Sequence, residues 1–154
     1  MGSPLSIKLD RLNREILMKL QKNSRTSFSS IARELGVSEG IVRFRVKKMI
    51  DSGVITKFTA LLDSRKIGLS IIAIIMAKID PVFFKEASMK ISDLDETYHI
   101  FESTGDYDIV TVVHTRDMKH LSDLKKRIER ISGIREVMVS ACTRLIKIKT
   151  IFSL

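Results

Sequence analysis

Arg43, Arg45, Lys47 and Lys48 stand within six consecutive positions, inside the stretch FSSIARELGVSEGIVRFRVKKMIDSGVI that runs from residue 28 to 55. Guanidinium and ammonium groups carried on one helix suit a polyanion, and a single α-helix fits the major groove of duplex DNA. Arg43 and Lys47 lie one helical turn apart on the side away from Val42, Val46, Met49 and Ile50. Arg43 is the candidate for bidentate readout of guanine. Ser38, Lys48 and Lys57 are placed to touch phosphates, contacts that position a protein without reading sequence. Glu39 and Gly40 complete the first turn of that surface, and the absent side chain of Gly40 permits close approach to a duplex. Phe44 has two readings: its ring contacts a thymine methyl group, or it folds onto Leu35 or the segment after the helix and belongs to the core.

A second constellation is Ser103-Thr104-Gly105-Asp106-Tyr107-Asp108, a glycine turn with two carboxylates. Such a turn can hold a small cation or a ligand's ammonium group, with backbone N–H groups left for a carboxylate. The plainer reading is turn geometry alone, which Asp and Gly supply by themselves. Catalytic chemistry finds no such grouping. His99, His114 and His120 lack metal-ligand spacing, Cys142 has no neighbouring base, and no Gly-rich phosphate loop is present. The sequence therefore implies no enzyme, no metal and no cofactor.

The charge distribution supports the first constellation. The chain of 154 residues carries a net charge of +9. Residues 1–65 hold 13 Lys+Arg against 6 Asp+Glu, whereas residues 66–154 hold 14 against 12. The basic excess belongs to the N-terminal part, where a polyanionic partner would bind. A single cysteine excludes an intramolecular disulfide, no secretory pattern is present, and a cytoplasmic location is the expectation. The longest apolar run, Ile71 to Ala77, is far shorter than the roughly 20 residues that span a bilayer, so no membrane partner is expected. The start, Met1 to Ser6, fits the myristoylation pattern formally, but that pattern is short enough to arise by chance.

The elements that position these residues follow from periodicity and caps. Leu9, Leu12, Ile16, Leu17 and Leu20 share one side of a 3.6-residue period, predicting a helix from Asp10 to about residue 23. Ser27 caps a short helix that Gly36 ends, and Ser38 caps the basic helix that Gly53 stops. Val54 to Leu62 has strand composition and carries Lys57, as the wing of a winged helix-turn-helix would. The polar run from Asp63 to Gly68 separates this pattern from the next. Beyond it come a strand over 69–79, a helix opened by Pro81, a strand from Tyr98 to Ser103, a strand from Tyr107 to Thr115, a helix from Met118 to Ser132, and a final strand from Ile134 to about Ile151. The order β-α-β-β-α-β is a ferredoxin-like split unit. The expected fold class is α+β. Residues 1–62 form a winged helix-turn-helix domain, 63–68 a linker, and 69–154 a ferredoxin-like ligand-binding and oligomerisation domain.

Both faces of the strand at 69–79 are apolar, and two helices cover only one face of a sheet. The other face should meet a second copy, which predicts a homodimer through the C-terminal sheet.

Taken together, the chain resembles the Lrp/AsnC, or feast/famine, family of transcription regulators. The resemblance rests on Leu9-Asp10 followed by Ile16-Leu17, on Ser38 through Arg45-Val46-Lys47-Lys48 to Gly53-Val54-Ile55, on Ile67-Gly68, and on Thr104 to Asp108. It implies regulation of transcription through double-stranded DNA, dimers that often assemble into tetramers, octamers or discs, and an amino acid or related metabolite as effector. It also implies that Thr104, Gly105, Asp106, Tyr107 and Asp108 contact the effector, with Ser140 and Thr143 approaching from a neighbouring strand or subunit. Two positions depart from the family: Asn13 stands where aspartate is usual, and Phe44 where a polar or basic residue is common. The competing readings are an architectural protein that coats DNA without an effector, and an RNA-binding module. The second lacks the aromatic signature of the RNA-recognition fold on its third strand.

Overall fold

The computed structural model describes residues 9–154, so the start with its myristoylation pattern lies outside the described residues. The chain divides into two compact units. One runs to Ala60 and includes Lys147–Leu154, and the other is Leu61–Ile146.

Three helices make the first unit: α1 (Arg11–Lys22), α2 (Phe28–Leu35) and α3 (Glu39–Asp51). Each begins at a short polar side chain that accepts the orphan N–H three residues on. Asp10 accepts from Asn13, Ser27 from Ser30 and Ser38 from Ile41. Gly36 ends α2 at φ 66°, a left-handed conformation that lets the chain turn within two residues into the cap of α3. Ile16, Leu20, Ile31, Val42, Val46 and Met49 close the core between the helices.

Val54 to Leu62, expected as a wing strand, forms no ladder with any strand among the described residues. Strand composition states a preference, but a strand exists only where a neighbour accepts its backbone hydrogen bonds. The final strand is likewise shorter than expected. It ends at Ala141 rather than near Ile151. The last residues group with the first unit, where the Gln21 side chain brackets the backbone of Phe152: Nε2 donates to its carbonyl at 3.3 Å, and Oε1 accepts from its N–H at 2.7 Å.

The second unit begins with a 3₁₀ turn over Ser64–Ile67, capped by Asp63 and closed by Gly68. Then come β1 (Ile71–Ile79), a 3₁₀ turn over Pro81–Phe83, α4 (Phe84–Ser92), β2 (Thr97–Glu102), β3 (Ile109–Thr115), α5 (Met118–Glu129) and β4 (Ile134–Ala141). The strands form one antiparallel sheet in the order β2-β3-β1-β4, the ferredoxin-like arrangement. Alternation sorts the two faces. Ala73, Ile75, Ala77, Ile109 and Val113 are buried against Ala87, Ile91, Leu121, Leu124 and Ile128 of the helices. Ile72, Ile74, Met76, Val110, Val112, Phe101 and Met138 occupy the opposite face, which no element of this unit covers.

Candidate functional site

The buried side of α3 consists of Val42, Val46 and Met49. With about 100° between successive residues, the helix then turns Gly40, Phe44 and Lys47 to the opposite side, flanked by Arg43 and by Ile41 and Lys48. Ser38 caps the start of this surface, its Oγ accepting from Ile41 N at 3.3 Å. Two cations are held along the helix by acids one turn away: Arg43 Nη2 meets Glu39 Oε1 at 2.6 Å and Lys47 Nζ meets Asp51 Oδ2 at 2.7 Å. Such exposed pairs are worth only about 0.3–0.5 kcal/mol, so a phosphate or a base edge can displace either acid. The Arg43 guanidinium also lies 5.6 Å from the centre of the Phe28 ring, and the Lys48 ammonium 5.3 Å from that of Phe44. Lys57 is exposed on the segment after the helix.

Phe44 is 61% exposed, which decides between its two readings: the ring is not core. Ile41 is 43% exposed beside it and was not singled out by sequence reasoning. The signal was present in the spacing, since positions three apart share a helix face. Arg45 departs from the rest of the basic set. Its Nη1 donates to Asp10 Oδ2 at 2.5 Å and to Asn13 Oδ1 at 3.0 Å. The Asp10 carboxyl is held below the usual carboxylate range by the Asn13 N–H and then by Arg45.

The turn of the second unit divides its side chains between two jobs. Asp108 is bound into the sheet: its Oδ2 accepts from Ile79 N at 2.7 Å, its N–H donates to Ala77 O at 3.0 Å, and its carbonyl accepts from Ser103 N at 2.9 Å. Tyr107 points to β4, where its hydroxyl donates to Glu136 Oε1 at 2.8 Å while Lys78 Nζ meets Glu136 Oε2 at 2.8 Å. That bond to Glu136 pushes the Tyr107 phenol up, and Lys78 and then Tyr107 hold the Glu136 carboxyl down. Gly105 N donates to Ser103 Oγ at 3.3 Å. Thr104, Gly105 and Asp106 are exposed. An open cavity of about 310 Å³ lies beside the turn, lined by Ile79, Pro81, Phe84, Glu102, Ser103 and Asp108. Of these, Ile79, Pro81, Phe84 and Glu102 were not assigned to a ligand from sequence, because only folding brings the ends of β1 and β2 against the start of α4.

Ser140 and Thr143 do not join this cluster within one chain. Ser140 pairs with Ile74 and Glu136 with Lys78, so Ser140 lies four residues further along β4, about 13 Å at the usual rise. Among the described residues no group of three or more His, Cys, Asp or Glu could hold a metal ion, and no helix is long and apolar enough to cross a membrane.

These features define a class: a helix-turn-helix unit with a basic, exposed second helix, joined to a ferredoxin-like unit with a polar turn beside an open cavity. Residues 9–50 match the AsnC-type helix-turn-helix domain and residues 72–152 the Lrp/AsnC ligand binding domain. The chain belongs to the Lrp/AsnC family of transcription regulators. It is 36% identical over 140 residues to the HTH-type transcriptional regulator Ptr1 of Methanocaldococcus jannaschii, covering 90% of this chain and 95% of that one. It is also 36% identical over 141 residues to the HTH-type transcriptional regulator LysM of Sulfurisphaera tokodaii, covering 91% and 96%. The structure of AsnC from E. coli superposes with a TM-score of 0.89 at 26% identity, covering 94% of this chain and 99% of that one.

Proposed function

We propose that this protein is a cytoplasmic, sequence-specific regulator that reads double-stranded DNA with α3 and changes its DNA binding or assembly on taking up an amino acid or related metabolite. The observation that carries the DNA reading is the division of α3 into a buried apolar side and an exposed side bearing Gly40, Arg43, Phe44, Lys47 and Lys48. In this reading Arg43 contacts base edges, and Ser38, Lys48 and Lys57 hold phosphates. Glu39 is the acid that Arg43 leaves on binding.

The uncovered face of the sheet supports a homodimer. Ile72, Ile74, Met76, Val110, Val112 and Met138 make a continuous apolar surface of the kind soluble proteins bury. Two copies of α3 related by a dimer axis would then reach half-sites about one helical turn of DNA apart, roughly 34 Å. The effector reading rests on the cavity beside the turn. Glu102 and Asp108 bring carboxylates to its lining, suited to an ammonium group, Pro81 and Phe84 offer an apolar wall, and Asp106 is exposed on the adjoining turn. Ser140 and Thr143 take part only if a neighbouring subunit brings them there.

The test compares binding to duplexes from upstream of the gene with binding to scrambled duplexes of equal length, over a salt series. A specific-site advantage of about 10³ or more supports base readout. Equal, steeply salt-dependent binding to both favours an architectural protein held by phosphates alone. Arg43→Ala is expected to lower specific affinity by about 1–3 kcal/mol and relax the preference, whereas Lys48→Ala weakens all duplexes alike.

A further inference from the structure

Phe44 stands near the middle of the exposed side of α3, opposite Val42, Val46 and Met49, with most of its ring open to solvent. Ile41 is exposed three residues earlier and shares its flank. Gly40, one turn before Phe44, adds no side chain, and a Cβ built there would meet only Ser38 Oγ, at 3.9 Å. The centre of a charged surface, where Arg43 and Lys47 are paired with Glu39 and Asp51, is therefore an apolar step, with Lys48 packed against one side of the ring. An exposed aromatic with an exposed isoleucine beside it offers apolar area whose burial against a partner would be favourable. Arg43, Lys47 and Lys48 around them fix the charge of that partner as negative. In the major groove of a duplex, the one apolar group on any base edge is the C5-methyl of thymine.

We propose that Phe44, with Ile41 beside it, reads thymine methyl groups, so that sequence preference in each half-site is set partly by apolar contact and not by Arg43 alone. This rests on the reading of α3 as the DNA-contacting helix. Gly40 lets the backbone come near enough for the ring to reach the base edges. The bond between Arg43 and Glu39 keeps the guanidinium to one side of Phe44 until DNA displaces the acid.

The experiment selects binding sites for the full-length protein from randomised duplexes, then replaces each thymine of the selected site in turn by deoxyuridine, which lacks only the methyl group. The wild-type protein is expected to lose roughly three- to tenfold in affinity at one or two positions per half-site, the worth of one buried methyl. Phe44→Ala should bind the thymine and deoxyuridine duplexes equally, and Ile41→Ala should show a smaller loss of discrimination. Both side chains are exposed, and circular dichroism of each variant is the check that it folds. If no deoxyuridine position weakens the wild type, or if the same positions weaken Phe44→Ala to the same degree, the inference is overturned while DNA binding by α3 stands. If the protein selects no sequence at all, the reading of α3 itself fails and this inference with it.

Discussion

Arg45 and Asp10, 35 residues apart in sequence, meet at 2.5 Å between Nη1 and Oδ2, and the same guanidinium nitrogen reaches Asn13 Oδ1 at 3.0 Å. The acid that caps α1 thus also holds a cation of α3. Arg45 braces α3 against the start of α1. This gives Asn13 a role where the family usually has aspartate: it accepts from Arg45 without adding a second charge beside Asp10.

Replacing Arg45 by Gln should separate bracing from binding. Thermal unfolding is expected a few degrees lower, because Asp10 and Asn13 lose a shared donor. The slope of log affinity against log salt should stay unchanged, as expected of a cation already held by Asp10 and Asn13. Lys48→Ala should instead reduce that slope by about one unit with little change in melting temperature. A reduced slope in the Arg45 variant would place that residue on the duplex after all.

The two aspartates of the turn should behave differently despite their spacing of two. Asp108 accepts from Ile79 N and ties the turn to the end of β1, so Asp108→Ala leaves that donor without its partner and should cost roughly 1–2 kcal/mol of stability in denaturant unfolding. Asp106 is exposed, and Asp106→Ala should leave stability unchanged. Calorimetric titration with amino acids is then the informative measurement for the second variant: loss of a heat that the wild type shows supports the effector role, and an unaltered heat removes Asp106 from it.

What was legible in the sequence was what is local. Asp10, Ser27 and Ser38 each cap a helix through an N–H three residues away, so the starts of α1, α2 and α3 could be read from a few positions. The β-α-β-β-α-β order was legible for the same reason, since periodicity switches at each element. What was misread depends on partners far along the chain. Val54 to Leu62 and the stretch after Ala141 have the composition of strands, yet composition does not say whether a neighbour is at hand. The bond that Asp108 accepts from Ile79, 29 residues earlier, was not legible either, because spacing along the chain does not show which distant N–H a carboxylate will meet. Phe44 stayed undecided because its place depends on which neighbours pack beside α3, a tertiary fact.

Gly133 shows how a turn glycine can be required twice over. Its φ is 87°, and a Cβ built there would lie 2.2 Å from the Cβ of Phe83, an atom fixed to the backbone that no rotamer change can move aside. Gly36 has φ 66° but open space around it. Gly36→Ala should therefore cost only the left-handed backbone penalty of about 1–2 kcal/mol. Gly133→Ala should cost roughly 3 kcal/mol or more, because the Phe83 turn must shift as well. Equal losses in chemical denaturation would show that the Phe83 contact relaxes freely.

His114 connects stability to pH. Its ring lies on the outward face of β3, 4.9 Å from the Tyr98 ring, with Nδ1 buried and unpaired. Burial pushes its pKa below the ordinary value of 6.5, and the nearby His99 adds to the effect. The unfolded chain therefore takes up a proton near pH 6.5 while the folded chain stays neutral to lower pH. The stability that this neutral ring contributes is present above about 6.5 and lost as pH falls through the folded value. If two copies meet across this face, the same charge would enter their interface, so dimer dissociation should rise over the same window. Melting temperature and sedimentation measured from pH 8 to 5 should fall together for the wild type, and His114→Phe should flatten both profiles. A melting temperature that falls with pH while sedimentation stays constant would confine the effect to folding and place the dimer contact on another surface.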